Sequence, residues 1–127
     1  MEIDRDRLNK LSNKIIGIGI KIHKELGPGF LESIYEKAMA YEFNKEGLEF
    51  KQQAIIKVNY EKLQLGSQRV DFIVNNEIIL ELKTISEIME LHQAQLLSYL
   101  KTVNKRLGLV LNFGKKKLEI KRVVNNF

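Results

Sequence analysis

Two apolar runs separated by three residues constrain this chain more than any other feature: residues 69–74 and 78–83 flank Asn75-Asn76-Glu77. The first is rich in Val, Ile and Phe and the second in Ile and Leu, and both have strand character. A three-residue loop sets Val74 against Ile78, Phe72 against Leu80 and Val70 against Leu82, making one face wholly apolar and able to cover helices. A two-residue loop spoils that match. The same register sets Asp71 against Glu81 on the other face, where Lys83 also projects from two residues further along its strand. Hydrophobic matching alone therefore assembles a polar triad.

Helices precede this hairpin. Leu8, Leu11, Ile15, Ile18 and Ile22 recur at spacings of three and four, predicting a helix over residues 4–26 that ends at Gly27-Pro28-Gly29. That joint lacks the glycine spacing and the Lys-Ser/Thr of a phosphate-cradling loop. A second stripe, Leu31, Ile34, Tyr35, Ala38, Met39 and Phe43, predicts a helix over residues 30–46. After Gly47 the period falls to two: residues 55–60 form a strand, and Gly66 marks a turn before residue 69. Downstream, Thr84 and Ser86 can cap a third helix, with Glu87 completing a capping box. Its stripe runs through Met89, His92, Leu96, Tyr99, Leu100 and Val103, and it ends near Asn104. Residues 107–113 and 118–124 read as closing strands. The order predicts an α/β (α+β mixed) fold, a mixed central sheet flanked by helices, with two N-terminal helices, a meander, a helix and two strands.

Residues 1–127 read as one domain, with no repeat or linker. No stretch approaches a membrane span and the N-terminus carries no signal-peptide pattern, so the expected location is cytoplasmic, with no membrane partner. The absence of cysteine excludes disulfides, thiolate catalysis and cysteine zinc sites. Any metal must be held largely by oxygen, since His23 and His92 read as helix residues without a partner ligand at i±4. Charge is uneven: residues 101–127 hold eight Lys/Arg against the single acid Glu119, leaving thirteen basic and fifteen acidic residues elsewhere. Lys115, Lys116 and Lys117 are thus candidate contacts for a polyanion, or else a solvated turn that discourages edge pairing.

Asp71 and Glu81 can supply hard oxygen ligands to Mg²⁺ or Mn²⁺, and Lys83 can steady charge on a scissile phosphate or help deprotonate a water. The bland alternative is a surface cluster of weak ion pairs. Against it, the same face carries Ile73 and Ile79, and partly buried charges require partners or a ligand.

The run Gly29-Phe30-Leu31-Glu32-Ser33-Ile34-Tyr35, followed by Val70-Asp71 and Glu81-Leu82-Lys83, resembles the GxxExxY proteins of the PD-(D/E)XK nuclease-like superfamily over about residues 15–125. The resemblance implies a restriction-endonuclease-like core and a metal-dependent nuclease. Asp71, Glu81 and Lys83 would be catalytic, with Glu32 joining Asp71 and Glu81 at the metal. Gln95-Leu96-Leu97-Ser98-Tyr99 matches the Gln-x-x-x-Tyr of a recombination-nuclease branch, which makes Gln95 and Tyr99, together with Tyr35, candidate substrate contacts. Each has a structural alternative: Gln95 and Tyr99 as packing positions, Tyr35 as part of its apolar stripe, and Glu32 as a complement to the helix dipole. The expected partner is nucleic acid, DNA in the first instance. The competing expectations are a catalytically silent nucleic-acid-binding module and a protein-interaction subunit that forms a homo-oligomer through the first helix.

Overall fold

A computed structural model describes residues 4–127. Helix α1 spans Arg5–Leu26, with Asp4 accepting the Arg7 N–H at 3.0 Å as its N-cap. All five residues of its predicted stripe are buried. Gly27 ends the helix at φ 69°, a left-handed conformation that a side chain would strain. Helix α2 spans Glu32–Lys45 and starts two residues later than predicted. Tyr35, Met39 and Phe43 are buried as expected, but Leu31 and Ile34 are exposed. Leu31 falls outside the helix in extended backbone and so leaves the stripe.

Five strands follow: β1 Phe50–Tyr60, β2 Leu63–Val74, β3 Ile78–Lys83, β4 Leu107–Asn112 and β5 Glu119–Val124, with α3 Glu90–Val103 between β3 and β4. They form one sheet in sequence order, antiparallel throughout except for the parallel pair β3–β4, which α3 connects. This central pair is almost wholly buried, as parallel strands covered on both faces must be. On one face α1 and α2 pack against Phe72, Val74, Ile78, Leu80, Leu82, Leu109 and Leu111. On the other, α3 packs against Ile56, Val70, Ile73, Ile79 and Val110.

Three local expectations are corrected. Gly66 does not mark a turn; it lies within β2 opposite Val58, and the hairpin turns at Glu61-Lys62. Both faces are largely exposed there, so no burial alternation marks the strand. Thr84, Ser86 and Glu87 do not cap α3. Residues 84–89 form an irregular connection, and His92 Nδ1 accepts the Met89 N–H at 2.9 Å where the helix begins at Glu90. Val70 belongs to the α3-side cluster, not to the face shared by Phe72 and Leu82. The cause is an interruption of the β2–β3 ladder at Asp71.

Candidate active site

The predicted three-residue loop is present: Val74 pairs with Ile78, Ile73 with Ile79 and Phe72 with Leu80. There the backbone ladder stops and side chains replace it. The Asp71 N–H donates to Glu81 Oε1 at 3.2 Å, and Asp71 Oδ2 accepts the Leu82 N–H at 2.8 Å. On the other flank, Gln53 adopts φ 53° opposite Asp71 and donates its amide to Asp71 Oδ1 at 3.3 Å and to Glu36 Oε1 at 2.7 Å. Beyond this point β2 leaves β3 and continues only with β1, so the two strands fork. Asp71 and Glu81 sit in the crotch, both half-buried, with half-buried Lys83 closing β3.

The site is electrostatically loaded. Burial, reinforced by the neighbouring Asp71 carboxylate, pushes Glu81 up to about 8, and the Asp71 N–H and Lys83 only partly oppose the shift. Burial also raises Asp71, as does Glu36, against the Leu82 and Gln53 hydrogen bonds and Lys83. Glu32 keeps solvent on one side, yet partial desolvation and then Asp71 raise its carboxyl, while Lys83 lowers it. The first turn of α2 therefore faces the same crotch as the strand carboxylates. From the α3 side, burial and then the charge of Glu81 raise the Tyr99 phenol, whose hydroxyl donates to Gln68 Oε1 at 3.2 Å.

The structure thus brings together Asp71, Glu81 and Lys83, with Glu32 within electrostatic range and Tyr99 behind them. The other predicted contacts lie elsewhere. Tyr35 is fully buried, stacks on Phe113 with ring centroids 4.4 Å apart, and donates its hydroxyl to Gly27 O at 2.5 Å. Its hydroxyl also accepts the Phe30 N–H at 3.3 Å, so it fastens the Gly27-Pro28-Gly29 turn and presents no surface to a substrate. Gln95 is exposed on α3 and makes no hydrogen bond to the site among the described residues. Lys116 and Lys117 line a cleft of about 320 Å³ with Ile20, His23 and Lys24 of α1. Lys115 pairs with Glu119 at 3.9 Å, and its carbonyl meets His23 Nε2 at 2.7 Å. The lysine run is therefore docked on α1, because a buried histidine anchors its backbone there.

Sequence reasoning missed Glu36 and Gln53. Glu36 was accessible to it, since it follows Glu32 by four residues and shares its helix face. Gln53 carried no signal, because nothing in its surroundings predicts a left-handed residue inside a strand. Also missed was the clamp behind Lys83. Fully buried Asn112 accepts the Ile85 and Gly114 N–H groups through Oδ1 and donates to Ile85 O and Glu119 Oε1, all at 3.0 Å. Gly114 is required beside it, because a Cβ there would stand 2.4 Å from Ile85 O.

The sequence matches the PD-(D/E)XK nuclease superfamily over residues 9–123. The chain belongs to that superfamily. The crystal structure of SSO0001 superposes with a TM-score of 0.58 at 16% identity, over 75% of this chain and 50% of that one. The chain thus spans about half the length of that structure, and the likeness establishes the restriction-endonuclease-like fold. No curated protein matches the sequence.

Divalent metals are typical of PD-(D/E)XK nucleases, and the donor set suits a hard cation. Asp71 and Glu81 offer carboxylate oxygens from adjacent strands, and Glu81 Oε2 has no protein donor among the described residues. Their carboxyls are raised first by burial and then by neighbouring carboxylates, and Lys83 offsets this only in part. Among the described residues no three carboxylates or imidazoles are arranged to enclose an ion as they stand. Glu32 is the exposed, rotatable member that can complete the set.

Proposed function

We propose that this PD-(D/E)XK domain hydrolyses phosphodiester bonds in DNA with Mg²⁺ or Mn²⁺, and that it is a GxxExxY-type member of its superfamily. The observation that carries this reading is the fork: two half-buried carboxylates and Lys83 meet where the β2–β3 ladder gives way. Asp71 and Glu81 would hold the cation, with Glu32 completing or adjusting the set. When bound, it supplies positive charge against the phosphate and acidifies a coordinated water. Lys83 would orient the attacking water and steady the charge developing on the phosphoryl oxygens. The Leu82 N–H and the Gln53 amide fix the Asp71 carboxylate, so that it needs no reorganisation during the reaction. Tyr99 closes the α3 side of the site.

Cleavage of plasmid and single-stranded DNA with Mg²⁺ or Mn²⁺ tests the reading. Wild type should cleave and Lys83→Ala should lose about 10²–10³-fold, the usual loss when a charge-stabilising donor is removed. Equal background cleavage by both proteins would defeat it. One observation favours a second reading, a silent nucleic-acid-binding module: with its carboxyl near 8, Glu81 is largely protonated at neutral pH until a cation displaces the proton. In that case Asp71→Ala would leave DNA binding unchanged.

A further inference from the structure

The β1–β2 ribbon runs on past the fork. From Ala54↔Val70 to Tyr60↔Leu63 the two strands pair only with each other, a projection of roughly 20 Å at about 3.3 Å per residue. One face near its base rests on α3 through Ile56 and Val70. The remainder is open: Ile55, Tyr60, Leu63 and Leu65 are each more than 60% exposed. Between residues 54 and 70 the ribbon carries Lys57, Lys62 and Arg69 against the single acid Glu61. Among the described residues none of these three cations forms an ion pair. Arg69 precedes Asp71 by two residues on the same strand, so the ribbon is physically continuous with one wall of the fork.

We propose that this ribbon grips double-stranded DNA: it lies in the major groove, with Lys57, Lys62 and Arg69 on phosphates and Tyr60, Leu63 and Leu65 against sugar and base edges. The inference rests on the nucleic-acid reading of the fork and adds the form of the substrate and the element that seizes it. A two-stranded ribbon fits the major groove of B-form DNA, about 12 Å wide, whereas the deep, narrow major groove of A-form RNA excludes it. Unpaired cations beside exposed apolar side chains match the charged backbone and the apolar base edges of a duplex. A second copy of the chain fits less well. The free edge of β1 carries Lys51 and Lys57 and a register break between Val58 and Asn59, features that discourage edge-to-edge pairing.

Binding of the whole chain to a short labelled DNA duplex, the matched single strand and the matched RNA duplex tests this, using the Lys83→Ala protein with Mg²⁺ so that cleavage does not interfere. Tight binding to the DNA duplex is expected. Adding Lys57→Gln, Lys62→Gln and Arg69→Gln should weaken it by about tenfold or more and flatten the dependence of log affinity on log salt by about 2–3. A second variant, Tyr60→Ser with Leu63→Ser and Leu65→Ser, should weaken binding several-fold and leave the salt slope unchanged. Circular dichroism should show both folded, since every altered side chain is exposed. The proposal is overturned if both variants bind like their parent, if single strand or RNA duplex binds as tightly as DNA duplex, or if the parent is a dimer that the serine variant dissociates. Cleavage by the otherwise wild-type chain is scored separately. Ribbon-dependent binding without cleavage would sink the nuclease reading and keep the ribbon; cleavage untouched by the ribbon variants would do the reverse.

Discussion

The inner and outer halves of β2 are one continuous strand with opposite physics. From Phe72 to Val74 every side chain is buried and every residue is laddered to β3. From Leu63 to Arg69 every residue is exposed and pairs only with β1. Asp71 lies at the junction, where its carboxylate and backbone N–H take over from the lost rungs. Stability should therefore reside in the inner half and recognition in the outer, with the chemistry at the boundary.

Substitutions can break this division. The largest effect on stability should come from Phe72→Ala, which empties a fully buried site and should cost about 3–5 kcal/mol in chemical denaturation. A smaller effect of opposite sign is expected at the junction. The folded-state carboxyl of Glu81 stands near 8, above its ordinary 4.5, so the folded chain holds the extra proton between those values. The stability this contributes is complete below about 4.5 and lost as pH rises through about 8. Glu81→Gln should remove that loss, leaving the variant more stable than wild type at pH 8.5 by a few kcal/mol in cation-free buffer. A Tm advantage that does not grow between pH 5 and 8.5 would refute the assignment. Next in size, Tyr35→Phe removes a buried hydroxyl that bridges Gly27 and Phe30, and should cost roughly 1–2 kcal/mol without changing DNA affinity. Least of all, Leu65→Ala in the outer half should stay within about 0.5 kcal/mol of wild type, the range of ordinary surface changes. A cost there approaching that of Phe72→Ala would mean that the ribbon is folded into a core after all.

The same division governs what could be read from sequence. The inner hairpin was legible because one face must be apolar, which fixed the Phe72–Leu80 and Val74–Ile78 pairs and brought Asp71 beside Glu81. The stripe of α1 was legible for the same reason. The outer ribbon was legible only in part: residues 55–60 read as a strand, but with water on both faces the outer half of β2 follows no alternation, and Gly66 read as a turn. Glu36 was open to the same helical reading as Glu32, four residues before it, whereas Gln53 escaped because its role depends on a left-handed residue and on how α2 docks against β1, relations without local periodicity. Tyr35 was placed with the substrate because it belongs to the motif Gly29-x-x-Glu32-x-x-Tyr35. In the structure that spacing does two jobs: it sends a carboxylate outward toward the fork and a phenol inward to brace the preceding turn.

The Asn112 side chain engages both the N–H and the C=O of Ile85, as the backbone of a neighbouring strand would. The segment leaving Lys83 therefore has little conformational freedom left to lose. On the proposed nuclease reading, an incoming phosphate would meet a lysine whose main chain is already immobilised, so the entropy of ordering that backbone would be settled during folding and would not subtract from affinity at each encounter.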